Sequence, residues 1–109
     1  MMKRLIAVAL ACCAAQAGAT TFFTGNQLLE KCNSDNTVHQ VGCMAYVMGI
    51  LDGATLNGSN VPFVIPSSSD AGQLKDVVLK YLNSHPEHRH WPASMLVWNA
   101  MADAFPKSK

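Results

Sequence analysis

The amino-acid sequence predicts an all-α fold, a compact bundle of about four helices around a buried central helix, with one intrachain disulfide. Residues 38–56 form a long run without proline that is apolar on every side, which is typical of a buried helix. Residues 74–82 carry apolar side chains at the spacing of an amphipathic helix. Prolines and short polar clusters separate these segments, which favours helices joined by loops.

Local signals predict where the first two helices begin. Thr24 and Gln27, three positions apart, form a capping box at the start of a helix over residues 25–32. Thr37 and Gln40 repeat this spacing at the start of the central helix.

A loop over residues 57–69 follows, and its extended piece 63–65 is expected to pack on the helices. Asp70, with Gln73 three positions on, marks the start of a third helix that ends before Pro86, and the serines at 67–69 are alternative caps. A fourth helix covers residues 93–105. Its predicted buried stripe is Leu96, Val97, Ala100, Met101 and Ala104.

Residues 1–19 have the features of a secretory signal peptide. They combine a positively charged start, an apolar stretch and an A-x-A cleavage site ending at Ala19. An ordinary N-terminal helix is one alternative, and Cys12 and Cys13 raise a lipoprotein signal as another. Cleavage after Ala19 leaves a single domain over residues 20–109.

The composition of this domain disfavours binding to nucleic acid and a membrane-spanning helix. It has six Lys or Arg against seven Asp or Glu, a net charge of −1. Because it has no basic patch, we do not expect it to bind nucleic acid. The apolar run also contains Asp52, with His39 and Gln40 near its start. Its fully apolar part is therefore shorter than the roughly 20 residues that a membrane span needs.

Export makes the two cysteines of the domain informative. An even pair of cysteines in an oxidising compartment indicates a disulfide. Cys32 and Cys43 would close a short loop, which the loop-entropy model values at roughly 3 kcal/mol. The alternative is a catalytic thiolate, which would need a histidine partner and protection from oxidation.

Three glycines lie on one side of the central helix. Gly42, Gly49 and Gly53 are separated by seven and four positions, so they share a face. With Tyr46, they are expected to pack either within the core or across a dimer interface. Asp52 is expected to be a buried structural carboxylate with hydrogen-bond partners.

A histidine-rich connector between the last two predicted helices is the first candidate site. It contains His85, His88 and His90 and ends in Trp91. A metal site, a solvated loop and a partner-binding loop are the alternatives. The histidine spacing matches no zinc site that we know, whereas Arg and Trp are frequent at binding hot spots. His39 is expected at the surface.

The sequence contains no recognised catalytic motif, phosphate-binding loop or metal-binding motif. We therefore predict a binding protein rather than an enzyme, with no cofactor and no metal.

A set of short motifs then runs in order along the domain. They are Phe23-x-Gly25-Asn26-x-Leu28-Leu29-x-x-Cys32, Cys43-x-x-Tyr46-x-x-Gly49-x-x-Asp52-Gly53, Phe63-x-Ile65-Pro66, Gln73-Leu74 with Tyr81-Leu82, His85-Pro86-Glu87, and Pro92-Ala93 with Phe105-Pro106. Together they resemble the type VI secretion amidase immunity proteins, the Tai-type family.

This resemblance implies a compact all-helical homodimer in the periplasm. It implies a protein that binds and sterically blocks a cell-wall peptide amidase injected by neighbouring cells, covering its Cys–His active site with loops and helix ends. By position and chemistry, the expected effector-binding residues are His85, Glu87, His88, Arg89, His90 and Trp91, followed by Asn57, Ser59 and Asn60.

The sequence departs from the resembled family at two positions. The family often has two further cysteines, where this chain has Val64 and Lys107. Their joint absence is expected if they form one bridge, and it weakens the connection between the long loop and the C-terminus.

A second functional hypothesis is a small periplasmic acid-stress chaperone, in which histidine protonation near pH 6 would loosen a dimer.

Overall fold

The structure, a computed structural model, describes residues 22–108. The predicted signal peptide, with Cys12 and Cys13, lies outside the described residues. Four α-helices follow one another along the chain: α1 (Gly25–Cys32), α2 (Thr37–Ala54), α3 (Ala71–Ser84) and α4 (Ala93–Ala104). Two 3-10 turns, Thr55–Asn60 and Pro86–His88, follow α2 and α3. Within residues 22–108 only isolated β-bridges occur, so the predicted all-α fold is confirmed.

The start of α1 follows the predicted capping box. The Thr24 hydroxyl accepts a hydrogen bond from the Gln27 amide at 3.3 Å, and the Gln27 side-chain oxygen accepts one from the Thr24 amide at 2.9 Å. Two of the amide groups that a helix start leaves unpaired are thereby satisfied.

The predicted capping box of α2 is wrong. Asn36, and not Thr37, is the N-cap, because its side-chain oxygen accepts hydrogen bonds from the amides of Val38 and His39. Asn caps helices at least as well as Thr, and here it stands one position earlier. The side chain of Gln40 therefore takes no part in capping α2.

The side chain of Gln40 connects three elements of the fold. Its amide nitrogen donates to the carbonyl oxygens of Cys32, at 2.8 Å, and Ser34. Its oxygen accepts a hydrogen bond from the Lys75 ammonium at 3.0 Å. This one side chain therefore joins the end of α1, the start of α2 and α3.

The predicted disulfide between Cys32 and Cys43 is confirmed. Both cysteines are buried, and their Cα atoms lie 5.2 Å apart. The bridge joins the last residue of α1 to the second turn of α2 and so fixes how these two helices pack.

The core lies between all four helices. Its fully buried large side chains are Leu28, Val47, Val78, Leu82, Leu96, Val97 and Met101. The predicted stripe of α4 is confirmed at Leu96, Val97, Ala100 and Met101. Ala104 is exposed, because the helix ends there and Phe105 packs against the core instead.

The central helix α2 is not buried on every side, which corrects the prediction. Only Cys43, Val47 and Ala54 are buried along it, whereas Val38 and Val41 are 76% and 55% exposed. An apolar run predicts a helix but does not tell which of its sides the other helices cover. Three short helices cover one side of α2 and leave the other open.

The residues singled out on α2 lie on this open side. Asp52 is exposed, so the prediction of a buried structural carboxylate is wrong. A Cβ atom built at Gly42, Gly49 or Gly53 would meet no atom within 4 Å. Packing of these glycines in the core is therefore wrong as well. Tyr46 is half-buried and packs edge-on against Phe23.

The long loop is attached to the C-terminal segment by backbone pairing. Phe63 and Pro106 form an antiparallel bridge, the Val64 amide donates to the Phe105 carbonyl at 3.0 Å, and the Lys107 amide donates to the Pro62 carbonyl at 3.2 Å. The two positions that carry extra cysteines in the resembled family, 64 and 107, thus lie on paired segments.

Candidate functional site

The connector between α3 and α4 contains a continuous stack of four rings. The ring centroids of Tyr81 and His85 are 4.0 Å apart, those of His85 and His88 5.8 Å, and those of His88 and Trp91 4.0 Å. The planes of successive rings differ by only 21°, 10° and 15°. His85, His88 and Trp91 follow one another at intervals of three positions, which are eclipsed in a 3-10 turn. Tyr81 and His85 are four positions apart, a spacing that makes side chains neighbours on a helix surface.

The backbone of the connector also holds the start of α1. The Asn26 amide donates to the Arg89 carbonyl at 2.8 Å, and the Gly25 amide donates to the Trp91 carbonyl at 2.9 Å. These bonds satisfy further amides of the first turn of α1, which have no partner within the helix. The connector is therefore a fixed part of the fold and not a free loop.

Gly25 allows this close approach. A Cβ atom at this position would overlap the Leu96 side chain and would lie 2.9 Å from the Arg89 carbonyl oxygen. Among the described glycines, Gly25 is the one whose missing side chain makes room for a neighbouring backbone.

The predicted binding residues of the connector differ in their exposure to solvent. Glu87 and His90 are exposed, whereas His85, His88, Arg89 and Trp91 are partly buried. The outward surface of the connector is therefore made by Glu87 and His90, on a frame that the other residues hold.

The two stacked histidines differ in their hydrogen bonds. Nδ1 of His85 lies 2.9 Å from the Tyr81 carbonyl oxygen. A carbonyl only accepts, so this nitrogen carries the proton and Nε2 is an acceptor in the neutral ring. Nδ1 of His88 is buried without a hydrogen-bond partner, and the carboxylate of Glu87 lies 3.8 Å from it.

A groove between α3 and α4 runs up to the connector at His85. Its volume is about 270 Å³. Val77, Tyr81 and Ala100 are among its apolar lining residues, and the oppositely charged Lys80 and Asp103 also line it. The groove gives the surface beside the connector a concavity that can accept a side chain.

The second predicted binding segment lies elsewhere. Asn57, Ser59 and Asn60 are exposed in the 3-10 turn after α2. Within this turn Gly58 has a positive φ of 57°, a backbone conformation that glycine adopts at little cost. The Lys107 ammonium donates to the Ser59 carbonyl at 2.8 Å.

The two segments stand at opposite ends of α4. The connector leads into its first residue, whereas the 3-10 turn is attached to Lys107, beyond its last residue. A helix of 12 residues is about 18 Å long. The structure therefore does not bring the two segments together into one site, and their role in binding stays a prediction.

The structure offers no metal centre within its described part. Between residues 22 and 108, no group of three or more His, Cys, Asp or Glu side chains is placed to hold a metal ion. No helix in the same range has the length and apolarity required to cross a membrane.

One face of α2 is open to solvent, although the sequence predicted a helix buried on every side. Its exposed residues are Val38, Val41, Gly42, Ala45, Gly49, Asp52 and Gly53, with Leu56 in the turn that follows. Leu56 is 89% exposed. The spacing of the glycines was the available signal, and it left core packing and dimer contact as alternatives.

Comparison with known protein families decides the class of this chain. The family model of the Rap1a immunity proteins matches residues 24–106. The chain belongs to the Rap1a immunity protein family. The match begins at the cap of α1 and ends at the bridge residue Pro106, so it includes all four helices, the connector and the turn after α2.

Membership in this family confirms the predicted class. An immunity protein acts by binding an effector protein. A search of curated proteins found no match. The Tai-type subclass and the amidase target stay predictions.

Proposed function

We propose that this Rap1a-family protein is exported to the periplasm and there binds and sterically inhibits a peptidoglycan amidase delivered by a type VI secretion system. The producing cell would thereby survive attack by its kin. The observation that carries the proposal is the family match, which extends over residues 24–106. The amidase is proposed as the target because the ordered motifs of the sequence resemble those of the Tai-type amidase immunity proteins.

The connector is the proposed inhibitory element. It is held by the ring stack and by two backbone hydrogen bonds to α1, so little conformational entropy is lost when a partner binds it. Glu87 and His90 would make the outer contacts, and the groove beside His85 would accept a side chain of the amidase. The turn with Asn57, Ser59 and Asn60 is the second proposed contact.

A standard protein–protein interface can supply the required affinity. Protection from a lethal enzyme calls for nanomolar binding, about −12 kcal/mol. A standard interface of roughly 800 Å² on each partner reaches such affinities when it has well-packed hot spots. The inhibitor itself needs no catalytic residue, because covering the cleft excludes peptidoglycan.

Two further features support export. The chain begins with the sequence pattern of a signal peptide cleaved after Ala19. The Cys32–Cys43 disulfide is the kind of bond that persists in an oxidising compartment. We propose that the exported protein is a homodimer.

A pull-down with an inhibition assay tests the proposal. The exported protein is immobilised, and secreted and periplasmic proteins of the producing strain and its relatives are passed over it. We expect one small Cys–His amidase to be retained through a high-salt wash and to lose its activity on peptidoglycan when the protein is added. Capture of many unfolded clients near pH 4, with no amidase, would instead support the chaperone hypothesis.

Charge reversal at the connector refines this test. Glu87→Lys should weaken inhibition at least 10-fold, because it changes the outer surface of the connector. Asp76→Lys is the matched control, since Asp76 is exposed on α3 and does not line the groove. Equal inhibition by both variants would remove the connector from the proposed interface while leaving the immunity function in place.

A further inference from the structure

The turn after α2 contains an asparagine that is followed by glycine. Among the asparagines of the sequence, Asn57 alone has glycine as its next residue. In such a pair the backbone nitrogen of the glycine can reach the carbonyl carbon of the asparagine side chain. Glycine has no side chain of its own to shield that nitrogen, and asparagine is one of the thermolabile residues of proteins.

We propose that Asn57 is a site of spontaneous deamidation in the folded, exported protein. The reaction consumes water and needs no enzyme, cofactor or oxidant. The inference concerns the chemistry of the turn and does not rest on the proposed function.

The reaction exchanges ammonia for water in two steps. First, the Gly58 backbone nitrogen loses its proton and bonds to Cγ of Asn57, the bond between Cγ and the side-chain nitrogen breaks, and ammonia leaves. The product is a five-membered cyclic imide. Water then adds to one of the two imide carbonyl carbons, and the bond from that carbon to the ring nitrogen breaks. Opening at Cγ gives aspartate, whereas opening at the backbone carbonyl gives isoaspartate, in which the main chain continues through the side chain.

The surroundings of the two residues leave this reaction unobstructed. Asn57 and Gly58 are both exposed, and no residue of the turn is buried, so water has access to both carbonyl carbons. A Cβ atom built at Gly58 would meet no atom within 4 Å. The space beside the attacking nitrogen is therefore open.

The backbone at Gly58 also departs from helical geometry. Its φ of 57° and ψ of −125° interrupt the 3-10 turn, so the peptide that joins Asn57 to Gly58 lies at a kink. Three other asparagines lie inside α-helices: Asn26, Asn83 and Asn99. A hydrogen-bonded helix fixes the backbone of each residue and hinders the rotation that brings the side-chain carbon to the next nitrogen. Those positions should therefore react more slowly.

The product changes the turn in charge and in length. The domain left after cleavage has a net charge of −1 and would gain one further negative charge. The Lys107 ammonium donates to the Ser59 carbonyl at 2.8 Å, so the new carboxylate would arise two residues from a carbonyl that a lysine already holds. Isoaspartate would in addition lengthen the main chain by one carbon atom at the kink.

Peptide mapping by mass spectrometry tests the assignment. The exported protein, with its disulfide formed, is incubated at neutral and at mildly alkaline pH in water enriched in heavy oxygen. It is then digested at acidic pH, where the reaction is slow. We expect the peptide with Asn57 to exchange its amide nitrogen for labelled oxygen and to become a mixture of aspartate and isoaspartate. The rate should be several-fold higher at alkaline pH, because the attacking nitrogen must lose its proton.

Asn60 is the matched control. It is exposed in the same turn but is followed by Val61, whose branched side chain crowds the attacking nitrogen, so Asn57 should react at least about 10-fold faster. Equal rates at the two positions would overturn the proposal. So would a product that contains aspartate without isoaspartate, since a cyclic imide opens in both directions.

Unfolded protein in urea is incubated in parallel. Reaction at Asn57 in urea but not in the folded protein would show that the turn protects this residue, and it would also overturn the proposal. Ion-exchange chromatography of the aged, folded protein should show an acidic form that Asn57→Gln lacks, because glutamine would have to close a larger ring. An acidic form of equal amount in Asn57→Gln would place the modification elsewhere in the chain.

Discussion

Replacement of Gly25 by alanine tests whether the connector and the start of α1 form one unit. The new methyl group would overlap the Leu96 side chain and lie 2.9 Å from the Arg89 carbonyl oxygen. Because Arg89 belongs to the backbone that accepts the Asn26 amide, relief of the overlap must move the connector away from the helix.

The expected cost follows from these contacts. Overpacking of this kind costs about 1–3 kcal/mol, and weakening of the two backbone hydrogen bonds to Gly25 and Asn26 adds up to about 1 kcal/mol for each bond. We therefore expect Gly25→Ala to lower the free energy of unfolding by about 1–5 kcal/mol. It should also weaken binding of the effector, since the proposed contact surface is displaced.

Urea unfolding followed by far-UV circular dichroism measures this change. Gly53→Ala is the matched control, because its Cβ meets no atom within 4 Å, and alanine in a helix should raise stability by about 0.5–1 kcal/mol. Both variants are measured at several protein concentrations, so that dimerisation is separated from folding. Gly25→Ala at or above the stability of the unchanged protein would refute this account of the connector.

Three further changes have expected outcomes. Replacement of Cys32 and Cys43 together by serine should lower the free energy of unfolding by roughly 3 kcal/mol, measured by urea unfolding under non-reducing conditions; a loss below about 1 kcal/mol would contradict the stabilising role of the bridge. Phe63→Ala removes a side chain that is only 7% exposed and should cost about 3–5 kcal/mol; a thermal midpoint equal to that of the unchanged protein would show that the loop is not held by this ring. Burial raises the pKa of Tyr46, opposed by its hydrogen bond to Ser94. The folded state then holds the proton more tightly, so stability should fall as the pH rises above about 10, and Tyr46→Phe should remove part of that fall in urea midpoints at successive pH values.

The start of α1 and the disulfide were predictable from the sequence alone. The exchange of hydrogen bonds between Thr24 and Gln27 depends on residues three positions apart. The pairing of Cys32 with Cys43 depends on the number of cysteines and on the compartment. Asn36 was missed as the cap of α2 because Thr37 beside it is also a good capping residue, and only the backbone conformation distinguishes them.

The surroundings of α2 were not predictable from its own sequence. An even distribution of apolar residues does not reveal which side packs on the core, and the neighbours of Asp52 depend on how the other helices cross. The ring stack of the connector is a similar case. Its spacing of four, three and three positions is visible in the sequence, but the alignment of His85 with His88 requires the 3-10 turn.

The hydrogen-bonded junction between Val64 and the C-terminal segment has a consequence for oxidation. After the proposed cleavage the domain has only two cysteines, and two cysteines allow one pairing, whereas four allow three. A relative with a second bridge at this junction can form mispaired isomers that must be rearranged. In this chain, after the proposed cleavage, a single oxidation completes the covalent structure, so the yield of oxidised protein should not depend on a disulfide isomerase.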